Sequence, residues 1–207
     1  ISKIVADIDK AEHFVHMEYF IIALDEATEP IFEALANAVK RGVIARVMYD
    51  SLSTNRYPRR KEMKKRPIND GVLPQPMLPL RLPGRAYVRP DMRNHRKLVV
   101  VDGQVAHTGS QNLIDASYHK PRNVKRGLRW KELMVRLTGP VVAEIDAVFV
   151  TDWFSETDEM LPLGAAVRAA DDALHRAPAT AVVTRVEAQV VPSGPSFEND
   201  NNLKLFV

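Results

Sequence analysis

A mixed α/β fold, one β-sheet flanked by helices on both faces, is predicted by three observations on these 207 residues. Apolar side chains recur at helical spacing in some stretches and run continuously in others, the two kinds alternate along the chain, and an Asp-Gly turn dipeptide separates two short apolar runs. SKIVADIDKAE, residues 2–12, spaces Ile4, Val5, Ile8 and Ala11 as one helical face, and HFVHMEYFIIAL then reads as a buried strand. Thr28 and Pro30 open a second helix through Ile31, Leu35, Ala38 and Val39 that stops at Arg41-Gly42, before the strand VIARVMYD. Strand, helix, strand in this order predicts a right-handed parallel crossover.

Pro67, Pro74, Pro76, Pro79, Pro83 and Pro90 make residues 67–94 read as loop with little room for a helix. Beyond them come the Asp-Gly hairpin, a strand ELMVRLTG from Glu132, and a helix from about Pro140 to Trp153 with Val141, Ile145, Val148 and Phe149 on one side. The predicted organisation is a first domain over 1–154, an alanine-rich polar linker over 155–180, and the start of a second, truncated domain over 181–207, where VTRVEAQVV reads as a strand and ENDNNLKLF as the start of a helix.

Hydrophobic residues make up 45% of the chain, enough for a core, and a net charge of +3 tilts the protein toward anionic partners. There is no cysteine, which excludes disulfides and thiolate metal sites. No apolar run reaches the roughly 18 residues that span a bilayer.

The stretch HRKLVVVDGQVAHTGSQN, His95 to Asn112, carries the chemistry. A two-residue turn at Asp102-Gly103 would set Val101 opposite Gln104, Lys97 opposite Thr108 and His95 opposite Ser110. His95, Lys97, Thr108 and Ser110 would then share one surface at the open end of the hairpin, with Asn112 continuing the row. An imidazole, an ammonium, hydroxyls and a carboxamide with no carboxylate among them suit an oxyanion, and phosphate is the natural guest.

The stretch fits H-x-K-x4-D-x6-G-S-x-N at His95, Lys97, Asp102, Gly109, Ser110 and Asn112, and so resembles the signature of the phospholipase D superfamily. HMEYF, RGVIARVMYD, NHRKLVVVDG, WKELMVRLTGPVV, FVTDWF and QVVPSGP extend the resemblance, toward the bacterial cardiolipin synthases of that superfamily. It implies a phospholipase D-type half-domain and phosphatidyl transfer between phospholipids through a phosphohistidine, with two histidine motifs meeting across a pseudo-twofold axis. By resemblance His95 is nucleophile or acid/base, and Lys97 and Asn112 hold the non-bridging oxygens. Ser110 assists at the rim, and Glu132 stands where the family places a carboxylate that orients the histidine. Asp102 belongs to the motif but sits at the turn, where it reads as structural. No cofactor and no metal are implied.

One motif is present, with no second H-x-K. The resemblance therefore implies a second motif-bearing half, expected beyond Val207 rather than from a homodimer. The amino-terminal membrane helices that the resemblance to cardiolipin synthases implies are missing too, which is consistent with a truncated or excised chain. The intact protein is expected on the cytoplasmic side of a membrane, with an anionic phospholipid as substrate.

RYPRRKEMKKR, residues 56–66, holds seven cations and one acid, and reads as a surface for anionic lipid or, alternatively, for a phosphodiester backbone. Beside it Leu73, Met77, Leu78, Leu80 and Leu82 lie in proline-rich sequence and read as a lipid-facing lip; the aromatic stacking that nucleic acid would call for is lacking. The competing readings are a homodimeric single-motif phosphodiesterase or endonuclease and a catalytically silent lipid-binding fragment.

Overall fold

The computed structural model describes residues 1–79, 93–162, 186–194 and 197. Its elements run α1 (Ser2–Ile8), β1 (Phe14–Tyr19), α2 (Glu29–Lys40), β2 (Ile44–Asp50), α3 (Ser51–Thr54), α4 (Arg60–Asn69), β3 (Leu73–Met77), β4 (Lys97–Val101), β5 (Val105–Gly109), α5 (Pro121–Arg126), β6 (Met134–Thr138) and α6 (Val141–Thr157). Six strands form one sheet in the order β3-β2-β1-β4-β5-β6. β1, β2 and β3 are parallel neighbours, and β4, β5 and β6 pair antiparallel, so the sheet is mixed as expected.

Alternation along the strands sorts the side chains into two cores. Val15, Met17, Val47 and Val99 face α1 and α2, where Ile4, Ile8, Ile31, Leu35 and Ala38 cover them. Met48, Leu98, Val100 and Ala106 point the other way, onto Val142, Ile145, Phe149 and Trp153 of α6. Two helical layers thus sandwich the sheet, each burying an apolar face that water would otherwise cover. α2 begins with proline in its first turn and ends before Gly42, whose φ of 95° a side chain would strain.

Three expectations need correction. The proline-rich region contains a strand: β3 pairs parallel with β2 at the sheet edge. Alternate residues of a strand point their N–H to the same side, so Pro74 and Pro76 lack donors only on the unpaired side, where none is needed. Pro67 sits inside α4 near its end, and Met77 is buried rather than on a lip. Leu80 and Leu82 lie outside the described residues.

Second, the hairpin is offset by one residue. Leu98, not Lys97, stands opposite Thr108, and Val101 opposite Val105. Asp102 and Gly103 take positive φ values of 52° and 65° and the Gln104 amide donates to the Val101 carbonyl, but Gln104 is an extra, bulged residue. Thr108 consequently faces α6, away from the Lys97 side chain, and donates its hydroxyl to the Lys97 carbonyl at 3.1 Å. Third, residues 186–191, the described part of the expected strand VTRVEAQVV, carry no strand pairing. The remainder of the expected linker and second unit lies largely outside the described residues.

Candidate active site

One end of the sheet gathers the chain's polar chemistry. It is formed by the carboxyl ends of β1, β2, β3 and β5 and the amino ends of β4 and β6, the edge at which parallel strands present their loops. His95 precedes β4, Ser110 and Asn112 follow β5, Glu132 precedes β6, and Asp50 closes β2.

The His95 imidazole is exposed on one side and stacked on Phe20 on the other, ring centroids 3.8 Å apart with 19° between planes. Partial burial and the neighbouring Lys97 ammonium push its pKa below the ordinary value, against a smaller opposing pull from Asp50. The ring is therefore neutral at pH 7, as a nitrogen nucleophile must be. Lys97 donates to the His95 carbonyl and lies 5.3 Å from the centre of the Phe20 ring. Burial lowers its pKa, with the Glu132 carboxylate acting the other way.

Asn112 is buried and doubly held. Its Oδ1 accepts from the Ile21 amide at 3.1 Å, and its Nδ2 donates to the Tyr118 hydroxyl at 2.9 Å. Tyr118 in turn donates to Glu132 at 2.6 Å. Desolvation pushes the Tyr118 phenol up to about 12, so it remains a donor throughout the physiological range. Tyr118 and His119 both adopt the left-handed conformation, φ 57° and 51°, a strained arrangement held by His119 on Asp25 at 2.8 Å. Ser110 is exposed and joined to Leu133 three ways: amide to carbonyl at 2.9 Å, hydroxyl to carbonyl at 3.4 Å, and Leu133 amide to hydroxyl at 3.0 Å.

The structure thus brings His95, Lys97, Ser110, Asn112 and Glu132 to one edge. Asp102 lies at the opposite end of β4, where its carboxylate accepts from the amides of Glu12, His13 and Phe14 at 2.7–2.9 Å. Glu132 bonds Tyr118, and the carboxylate felt by His95 is Asp50. The motif glycine also has a local cause: a Cβ on Gly109 would stand 2.1 Å from the Leu133 carbonyl oxygen.

Behind His95 lies a buried polar cluster that sequence reasoning missed. Asn94 Nδ2 donates to both Glu18 and Asp152, and its Oδ1 accepts from the Arg96 amide at 3.0 Å. Arg96 donates to Asp152 and, at 2.7 Å, to the Ser193 carbonyl. Burial, reinforced by Asp152, raises the Glu18 pKa well above the usual carboxylate range. Asp50, fully buried, accepts from Arg93 at 2.6 Å and from the amides of Leu52 and Ser53. The signal was present in the sequence as acids inside apolar runs, at Glu18, Asp50 and Asp152. Among the described residues no three His, Asp or Glu side chains converge as a metal site would require.

This architecture is that of a phospholipase D-like domain. A phospholipase D family member, Nuc from Salmonella typhimurium, superposes with a TM-score of 0.56 over 73% of this chain and 85% of its own at 19% identity; NucT from Helicobacter pylori does so with 0.53 over 74% and 87% at 13%. The family model "Cardiolipin synthase, PLD-like domain" matches residues 4–153, and the chain belongs to that family. It is 32% identical over 160 residues to the cardiolipin synthase of Geobacillus kaustophilus and 33% identical over 159 residues to cardiolipin synthase A of Proteus mirabilis. Each alignment covers 77% of this chain but only 31% and 32% of the relative's length. Against cardiolipin synthase A of Yersinia pseudotuberculosis the alignment extends over 206 residues at 28% identity, 97% of this chain and 39% of the relative.

Proposed function

We propose that the protein supplies one of two histidine motifs to a phosphatidyl transferase that makes cardiolipin. A neutral His95 beside an ammonium, at a sheet edge that also holds a fixed carboxamide, is the observation that carries this reading; the cardiolipin synthases among its relatives supply the substrate class. An imidazole nitrogen of His95 attacks the phosphorus of phosphatidylglycerol or a similar donor. A P–N bond forms as the P–O bond to the headgroup breaks, and the headgroup oxygen takes its proton from the opposing histidine. That histidine then removes the proton from a hydroxyl of a second phospholipid, whose oxygen displaces His95 from phosphorus. Lys97 and Asn112 hold the non-bridging oxygens as their charge redistributes, and Tyr118 and Glu132 keep Asn112 aimed. The opposing motif comes from sequence following this chain or from a second copy. A phospholipid substrate would bring the working enzyme to a membrane surface, which this reading takes to be the cytoplasmic one.

Two measurements together test the reading: the molar mass of the chain in solution by light scattering, and conversion of phosphatidylglycerol to cardiolipin by the chain and by the chain extended through a second motif. Cardiolipin formation that His95→Ala abolishes while leaving the fold intact supports it. Turnover retained in His95→Ala overturns it, as does phosphodiester hydrolysis of nucleic acid with no action on phosphatidylglycerol.

A further inference from the structure

Residues 120–133, KPRNVKRGLRWKEL, connect the Tyr118 turn to β6 and leave an unusual surface. They carry six cations against the single acid Glu132. Interleaved with them, Val124 is 62% exposed, Leu128 44%, Trp130 58% and Leu133 70%. Single apolar residues on a surface are ordinary; four within ten positions, among lysines and arginines, form a patch. The segment is held in place: the Trp130 amide donates to the Ala116 carbonyl at 2.8 Å, the Leu128 amide to the Asn123 carbonyl at 2.9 Å, and Asn123 Nδ2 to the Ser117 carbonyl at 2.9 Å. The apolar side chains are therefore presented to solvent by an ordered backbone. The patch also borders the site, since the Trp130 ring meets Tyr118 edge-on at 6.2 Å, and Tyr118 carries the bonds to Asn112 and Glu132.

We propose that residues 120–133 seat the protein on an anionic phospholipid bilayer, with Trp130, Leu128, Val124 and Leu133 entering the headgroup layer while the cations meet lipid phosphates. The inference deepens the phosphatidyl-transfer reading and rests on it for the identity of the surface. Tryptophan prefers the membrane–water interface, and basic side chains flanking it are drawn to anionic leaflets. A protein partner is the competing occupant, since tryptophan and arginine favour interface cores, but lysine, half of the cations here, is depleted there and favours lipid phosphates instead. Nucleic acid would use the cations but has no use for exposed valine and leucine. Among the described residues the segment 120–133 has one ion pair of its own, Arg129 on Asp115 at 3.1 Å. The basic helix α4 is the weaker candidate because Arg66 is bonded to Glu29 and Asp70, Arg59 pairs with Glu62, and Ile68 is its one strongly exposed apolar side chain.

The chain carries a built-in probe. Of its two tryptophans, Trp153 is 4% exposed and bonded to Glu159, so a change in emission on binding reports Trp130. Phosphatidylglycerol vesicles are expected to shift the emission to the blue, with quenching by brominated acyl chains; neutral phosphatidylcholine vesicles are expected to do neither. Trp130→Ala removes the shift, and the triple charge reversal Arg122→Glu, Lys125→Glu, Arg126→Glu weakens vesicle partitioning by at least about a hundredfold. The same reversal at Lys61, Lys64 and Lys65 of α4 has the smaller effect. Vesicle binding in sedimentation with unchanged Trp130 emission overturns the proposal. So does a blue shift that follows protein concentration and a doubling of mass without lipid, which assigns the patch to a second copy, or one produced by DNA alone. Turnover of a soluble, short-chain phosphatidylglycerol separates the two readings: the charge-reversed triple variant retains it if only the surface is damaged. Its absence in the unaltered two-motif enzyme, with Trp130 of the 207-residue chain still responding to vesicles, refutes the reaction and leaves the surface standing.

Discussion

The imidazole of His95 lies flat on the ring of Phe20, the first residue beyond β1. The same ring lies within 5.3 Å of the Lys97 ammonium, so one phenylalanine forms the wall behind both polar members of the H-x-K pair. It excludes water from one face of the imidazole and limits where the ring can turn.

That contact sets an expectation for protonation. Burial and the Lys97 charge both lower the His95 pKa, so the ring loses its proton at a lower pH than a free histidine, about 6.5. Phe20→Ala relieves the burial and Lys97→Met removes the charge; each moves the His95 pKa upward. An NMR titration of the imidazole in the two variants checks this, and a downward shift in either would refute the assignment of causes.

Tyr118→Phe deletes the hydroxyl between Asn112 and Glu132 and leaves the buried carboxamide short of an acceptor. A loss of about 1–3 kcal/mol in stability is expected from denaturant unfolding. If Asn112 holds a substrate oxygen as proposed, kcat of the two-motif enzyme is expected to fall at least about tenfold, because a carboxamide free to rotate would no longer keep that oxygen in place. Unchanged kcat would show that Asn112 is fixed by Ile21 alone.

Asp102→Asn separates the motif aspartate from the chemistry. Its three amide partners lie at the start of β1, so the variant is expected to lose about 1–3 kcal/mol while the His95 titration stays where it was. A displaced His95 pKa would mean that Asp102 reaches the site.

Gly109→Ala places a methyl group where the Leu133 carbonyl already stands. The β5–β6 pair must separate, at a cost of about 1–3 kcal/mol, and the bonds between Ser110 and Leu133 weaken. Faster hydrogen exchange at the Ser110 amide, ahead of any change in β1 or β2, is the expected signature.

Much of this was readable from residue order. Continuous apolar runs marked β1, β2 and β4, helical spacing marked α1, α2 and α6, and the H-x-K and G-S-x-N residues pointed to the edge where they meet. The offset at Gln104 was not readable, because Asp-Gly is compatible with both a two-residue turn and one followed by a bulge; the ties of Asp102 to Glu12, His13 and Phe14 accompany the register observed. β3 was hidden by prolines that matter only if both sides of a strand are paired. Glu18, Asp50 and Asp152 stand out as acids inside apolar runs, but which groups they meet, and that Tyr118 joins Asn112 to Glu132, depends on contacts between residues far apart in the chain.

The buried acids behind His95 imply a trade-off between durability and precision. Glu18 and Asp152 sit dehydrated on Asn94, and one oxygen of Glu18 has no partner among the described residues. Such groups burden the folded state, and a well-shaped apolar replacement of a buried polar network commonly stabilises it. Here the network grips Asn94 and Arg96, the residues on either side of His95, and an apolar substitute would release them. Selection for heat resistance alone would therefore be expected to erase these acids and leave a sturdier protein in which His95 wanders.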